Sequence, residues 1–164
     1  MYLKRREGRT IEWLLGKGKR YTGAARMSVS EALDFVRTHH MAVLSTFRKD
    51  GNAQMSIVTA GALDGHIAFT TRGEAAKLAN LRRNPRCSLL CASRDWRTYI
   101  VVESMAEVRD LSKDNPDRLR LLLRDVYHAC ADKEHPNWSE YDEAMREQRR
   151  AVIMMNPSRV YGTA

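Results

Sequence analysis

The sequence predicts a mainly β fold with flanking helices, its strands joined by hairpins into a closed or split antiparallel barrel. Three observations carry this. Short runs rich in Val, Ile, Leu and Phe recur at Met41–Phe47, Ala53–Ala60, His66–Thr70, Arg86–Ala92, Thr98–Val108 and Ala151–Met155, with a shorter one at Arg159–Tyr161. Asp50-Gly51 and Asp64-Gly65 place tight turns between the first three runs. No Gly-rich dinucleotide fingerprint and no Walker motif accompanies the helical segments, which removes a doubly wound nucleotide-binding sheet.

Taken in order, residues 10–15 offer a helical turn or two, broken by Gly16, Gly18 and Gly23. Ser28-Val29-Ser30-Glu31 reads as a capping box, with Ser28 at the N-cap and Glu31 three residues in. The helix it opens carries Ala32, Leu33, Phe35 and Val36 and frays by His39-His40. The next three strands form an antiparallel meander. Thr71 caps the following helix, with Glu74 as its reciprocal partner, and Pro85 ends that helix after Arg83. Arg86–Ala92 is a buried strand. Thr98–Val108 is the longest strand, with a bulge expected where its alternation slips at Val101-Val102-Glu103. Pro116 opens a helix to about Cys130, and Trp138–Arg149 forms another. Asn156-Pro157 turns the chain between the last two strands. The organisation expected is a basic N-terminal extension over 1–27 and one barrel domain over 28–164.

Charge is unevenly spread. Eight Lys and Arg against two Glu in residues 1–26 hold a surplus of six of the formal +8, so the body is nearly balanced. An arm of this kind can meet nucleic acid, an acidic partner or an anionic ligand. Without a Cys/His finger or a stacking-aromatic motif, nucleic acid is the weaker reading, and a solvated or partner-packed arm the stronger. No run of 18 apolar residues argues for a membrane span, and the N-terminus lacks the apolar stretch of a secretory signal. Three cysteines, Cys87, Cys91 and Cys130, suit free thiols in a reducing cytoplasm better than a disulfide framework.

Chemistry concentrates between Ser45 and Arg86. Thr70 and Thr71 bring hydroxyls to a strand end, Arg72 follows, and Lys77 and Asn80 stand three apart on the next helix. A strand end feeding an open helix N-terminus suits a phosphate. Glu74 competes for the same N–H groups, and a solvated basic helix is the plain alternative. Metal binding is weaker. His39 and His40 are adjacent, and His128, Cys130 and His135 span a helix end. Neither Cys87 nor Cys91 sits where a thiol is activated, and no Ser has an elbow motif.

These pieces bear a resemblance. Leu44-Ser45-Thr46, Lys49-Asp50-Gly51, Gln54-Met55-Ser56 and Lys77-x-x-Asn80-Leu81-Arg82-Arg83-Asn84-Pro85-Arg86 match it, as do Trp96-x-x-Tyr99, Glu103, His135-x-x-Trp138-x-x-Tyr141-x-x-Ala144-Met145, Arg149-Arg150 and Arg159-Val160-Tyr161-Gly162. Over residues 28–162 the chain resembles the pyridoxamine 5'-phosphate oxidase-like split-barrel superfamily. Within it, the chain is most similar to the flavin/deazaflavin oxidoreductase group B, whose members use coenzyme F420.

The resemblance implies a six-stranded split barrel that pairs as a homodimer, with the cofactor in a groove at the interface. The phosphate end would meet Thr70, Thr71, Arg72, Lys77 and Asn80. The ring would lie along Gln54, Met55, Ser56, Ile57 and Val58, with Trp96 and Tyr99 toward the substrate. The implied activity is hydride transfer between coenzyme F420 and a small unsaturated or planar substrate, in the cytoplasm. FMN is the alternative cofactor, in a pyridoxamine-phosphate-oxidase-like or flavin-reductase-like enzyme. A non-catalytic flavin or haem carrier, with His39, His40 or His66 as haem ligand, is a further alternative. One departure stands out: relatives often carry an Arg two residues before the helix lysine, where this chain has Ala75.

Overall fold

A computed structural model describes residues 25–164, so the turn expected over 10–15 and the extension up to residue 24 lie outside the described residues. The chain runs β1 (Ala25–Arg26), α1 (Val29–Thr38), β2 (Met41–Phe47), β3 (Ala53–Thr59), β4 (Gly61–Leu63), β5 (His66–Thr71), α2 (Ala76–Arg83), β6 (Arg86–Ala92), β7 (Tyr99–Arg109), α3 (Pro116–Ala131), α4 (Trp138–Glu147) and β8 (Ala151–Gly162). Ser28 and Glu31 form the capping box that the sequence spelled out, each side chain bonded to the other's backbone N–H.

The sheet curls back on itself, as its strand order requires. The strands lie in the order β3-β2-β6-β7-β8-β5-β4, all antiparallel, with β1 paired to the far end of β8. β3 and β4 occupy opposite ends of that order, yet only Ala60 separates them. In a flat sheet, six steps of about 4.8 Å would part the two edges by roughly 29 Å, whereas one residue spans about 3.5 Å. The sheet therefore curls into a split barrel, with the run 53–63 bent across the seam. His40 staples the bend: its carbonyl accepts from Ala60 N at 2.7 Å, and its Nδ1 lies 3.0 Å from the Ala60 carbonyl.

The expected three-strand meander does not form. β2 pairs with β3 and β4 with β5, but β5 takes β8 as its other neighbour, with Ile67 opposite Met155 and Thr71 opposite Ala151. The strands number seven along the curl rather than six, because Ala60 breaks one of them. Nor does Asn156-Pro157 make a turn: β8 is continuous. The register shifts beside Glu103 and Ser104, and Ser158 is the residue left over on β8. A bulge there tolerates the missing N–H of Pro157. It is fixed by Ser104 Oγ donating to the Asn156 carbonyl at 2.8 Å and Ser158 Oγ donating to the Glu103 carbonyl at 2.9 Å.

Two apolar clusters follow from the curl. Inside the barrel, Leu44, Phe69, Leu89, Ile100, Val102 and Ile153 meet Leu78 and Leu81 of α2 and Val36 of α1. Outside it, α3 and α4 lay Leu119, Leu123, Val126 and Tyr141 over Ala68, Val152 and Met154. That is why residues 151–155 read as an unbroken apolar run: both faces of this part of β8 are covered. Gly61 is required where α3 crosses β4, since a Cβ there would lie 2.1 Å from the Ala129 carbonyl oxygen.

Candidate functional site

At one mouth of the barrel, the end of β5, the start of α2 and the start of β8 converge with the end of β3 and with α3. They enclose a groove of ≈ 510 Å³. The floor is set by the β5–β8 ladder, which carries Thr70 and Thr71 to the rim opposite Val152 and Ala151. Thr71 does not cap α2, as the sequence suggested. Its backbone is held in the ladder, and the N-cap is Ala75, which offers no side-chain hydrogen bond. Glu74 correspondingly falls before the helix. The start of α2 is left without a side-chain cap, at the groove that Ala75 and Lys77 line.

Three cations, Arg72, Lys77 and Arg150, line the groove, and among the described residues no Asp or Glu does. Arg150 donates to Gln148 Oε1 at 2.9 Å and to Thr70 Oγ1 at 3.2 Å. Burial, and after it the nearby positive charge of Arg72, holds the Arg150 guanidinium below its ordinary value. A guanidinium stays charged under such pressure, so an incoming anion would relieve it. Thr71 is 3% exposed, and its Oγ1 is buried without a hydrogen-bond partner among the described residues. Such an orphan costs about 1–3 kcal/mol.

The other side of the groove is apolar and aromatic, formed by Val126, Tyr127, Cys130, Tyr141 and Met145 against Ile57 and Val58. Burial pushes the Tyr141 phenol up to about 12, and its hydroxyl donates to the Leu123 carbonyl at 2.9 Å. Burial likewise pushes the Cys130 thiol up to about 12, which leaves it a poor nucleophile.

Of the residues singled out from sequence, the groove brings together Ile57, Val58, Thr70, Thr71, Arg72 and Lys77. Asn80 lies elsewhere. It is 5% exposed, its amide donates to Gln54 Oε1 at 2.8 Å and Thr46 Oγ1 at 3.1 Å, and its carbonyl accepts from Arg83 at 2.8 Å. It staples α2 to β2 and β3, engaging Gln54 in doing so. Met55 and Ser56 continue along β3 outside the groove lining, with Met55 turned to solvent. Trp96, at a left-handed φ of 61° in the β6–β7 turn, and Tyr99 at the start of β7 are also outside the lining.

The sequence reading quoted Arg149-Arg150 and the Trp138–Met145 stretch for the resemblance but gave neither Arg150 nor the α3–α4 wall a part in the site. An arginine abutting a strand buried on both faces is a signal that could have flagged the first. The positive charge absent at Ala75 is present in the groove as Arg72 and Arg150.

A curled antiparallel barrel with a cationic groove at its mouth defines the class: a split-barrel protein. The chain belongs to the pyridoxamine 5'-phosphate oxidase family, whose profile matches residues 29–164. Solved structures share the fold. Conserved hypothetical protein Rv2991 from Mycobacterium tuberculosis is 23% identical over 89% of each chain, with a TM-score of 0.69. An F420 reductase is 21% identical over 77% of this chain and 93% of its own, at 0.53. A heme binding protein from Mycobacterium smegmatis is 20% identical over 84% of this chain and 55% of its own, at 0.58. At such identities the likeness is one of fold.

Proposed function

We propose that this chain is an oxidoreductase that binds coenzyme F420, with FMN as the alternative, and that it works as a homodimer in the cytoplasm on a small unsaturated or planar substrate. The observation that carries the cofactor reading is the anion-ready end of the groove: three cations with no carboxylate among the described residues, a helix start without a side-chain cap and the orphaned Thr71 hydroxyl. Arg72, Lys77 and Arg150 would balance a phosphate, and Thr70 and Thr71 would donate to its oxygens. Both cofactors are phosphate-bearing, and an F420 reductase is among the chains of this fold. When bound, either group supplies the redox chemistry, and the protein supplies placement and a dry face. Ile57 and Val58 would flank the ring, leaving Met55 and Ser56 for its far edge.

The homodimer reading rests on the outer face of β3-β2-β6-β7-β8. Cross-strand register sets Ile57, Val43, Leu90, Val101 and Tyr161 in one row across it. Ile57 belongs both to that row and to the groove. A second copy seated there would wall the open side of the groove. No helix of the described residues is long and apolar enough to cross a membrane, and three free thiols suit a reducing compartment. The haem alternative has less support. No histidine lines the groove, and the ring nitrogens of His40 lie 3.0 Å from the Ala60 carbonyl and 2.8 Å from Asp132.

Side-by-side titration of the purified chain with coenzyme F420 and FMN, followed by absorbance, tests this. One of them binds, and Lys77→Ala weakens it about tenfold or more, the worth of a charge-assisted bond, with the circular dichroism spectrum unchanged. Binding of neither, or an unaltered titration in Lys77→Ala, refutes the assignment.

A further inference from the structure

The groove has a second wall that the proposed phosphate contacts leave unused. Tyr127 projects from α3 into the centre of an aromatic cluster. Its ring makes T-shaped contacts with His135 at 5.2 Å, Tyr141 at 5.3 Å and Trp138 at 5.6 Å between centroids, with interplanar angles of 74°, 68° and 82°. Edge-to-face contacts on several sides fix a ring's orientation. The supporting rings are anchored in turn. Trp138 Nε1 donates to Glu134 at 3.2 Å, the Tyr141 hydroxyl is bonded to α3, and Arg124 lies 4.9 Å over the Trp138 ring. Tyr127 and Tyr141 are the two rings of this cluster that reach the groove, and the second is the more buried. Tyr127 thus offers a held aromatic surface at the end of the groove lined by Val126, Cys130 and Met145.

The charge of the lining adds a second constraint. With Arg72, Lys77 and Arg150 present and no carboxylate among the described residues, a cationic guest would be desolvated beside like charges, while a neutral or anionic one would not. Trp96 and Tyr99, expected from sequence to face the substrate, do not line this space.

We propose that Tyr127 is the specificity-determining residue of the groove, presenting its fixed ring to a planar, conjugated guest that is neutral or anionic, and that planar cations are rejected. This rests on the groove being the redox site proposed above, but its test needs no cofactor. The full-length chain is titrated calorimetrically with menadione, naphthoate, the ring-saturated decalin carboxylate and naphthyltrimethylammonium.

Naphthoate binds about fivefold or more tighter than decalin carboxylate, the worth of one aromatic contact. Menadione binds as well, and naphthyltrimethylammonium gives no saturable heat. Tyr127→Leu keeps the apolar volume and brings the aromatic-to-saturated ratio close to unity, whereas Tyr127→Phe preserves it. Circular dichroism confirms that both variants fold. A ratio unchanged in Tyr127→Leu, no naphthoate binding to the wild-type chain, or a cation bound as tightly as naphthoate overturns the proposal. A chain that shows the aromatic selectivity but takes neither coenzyme F420 nor FMN keeps this wall and loses the redox assignment.

Discussion

The outer surface of the barrel has two halves that the same sheet treats differently. Over the middle of β5 and the start of β8, α3 and α4 form a cover, and Val152, Met154 and Ala68 are sealed beneath Leu119 and Leu123. Over the outer face of β2, β3, β6 and β7 no helix of the described residues lies, and burial alternates residue by residue. An ordinary exposed sheet face would carry polar residues at those outward positions. Here they include Met41, Val43, Met55, Ile57, Leu90 and Val101, with Ile57 73% and Met55 64% exposed. One half has found its cover within the chain. The other carries an apolar row with no cover among the described residues, and a second copy is the proposed occupant.

The comparison breaks first at the covered half. Leu123→Ala should cost about 2–5 kcal/mol of unfolding free energy, because it opens a cavity between α3 and the sheet. Met55→Ala on the bare half removes a comparable side chain, and in dilute monomer it should cost about 0.5 kcal/mol or less. Urea titrations of the two variants at low concentration measure the gap. Equal losses would mean that the two halves are covered alike. Next in size is the bare half at higher concentration. Leu90→Asp sets a carboxylate at the middle of the five-residue row, and a charge buried at the centre of an interface costs about 2–4 kcal/mol. Sedimentation should then show a wild-type dimer and a folded Leu90→Asp monomer. A dimer that persists in the variant places its interface elsewhere.

The same contrast explains what could be read from the chain. Strands declared themselves because each carries its own alternation, and the double burial of 151–155 is written as an unbroken apolar run. Helix caps with local partners, such as Ser28 with Glu31, were legible for the same reason. What failed was non-local. Nothing near Thr71 shows that it will be paired with Ala151, yet that pairing keeps it in a strand and hands the helix start to Ala75. Nothing near Ala60 shows that the chain bends there across a seam. The groove was half legible. Thr70, Arg72 and Lys77 are adjacent in sequence, whereas Arg150 and Tyr127 arrive by way of β8 and α3. An asparagine's amide can serve a ligand or a staple, and only the approach of Thr46 and Gln54 brings out the staple at Asn80.

The smallest expected effect concerns what clamps the covering helices to each other. Asp142 of α4 accepts two bonds from Arg124 of α3, at 2.9 Å from Nε and 2.5 Å from the terminal nitrogen, with Arg120 at 3.6 Å. The hydrogen bonds from Arg124 hold its carboxyl below the ordinary carboxylate range. A depressed folded-state pKa contributes stability that is complete above the unfolded value of about 4 and is lost as pH falls through the lower, folded one. Asp142→Asn should therefore lower stability at neutral pH modestly and make the acid limb of the stability profile shallower, since one fewer carboxylate takes up a proton on unfolding. Because the clamp joins the two helices rather than either one to the bare face, the Asp142→Asn dimer should dissociate no more readily than the wild type. A steeper acid limb, or a weakened dimer, would show that the two halves of the surface are coupled through α4.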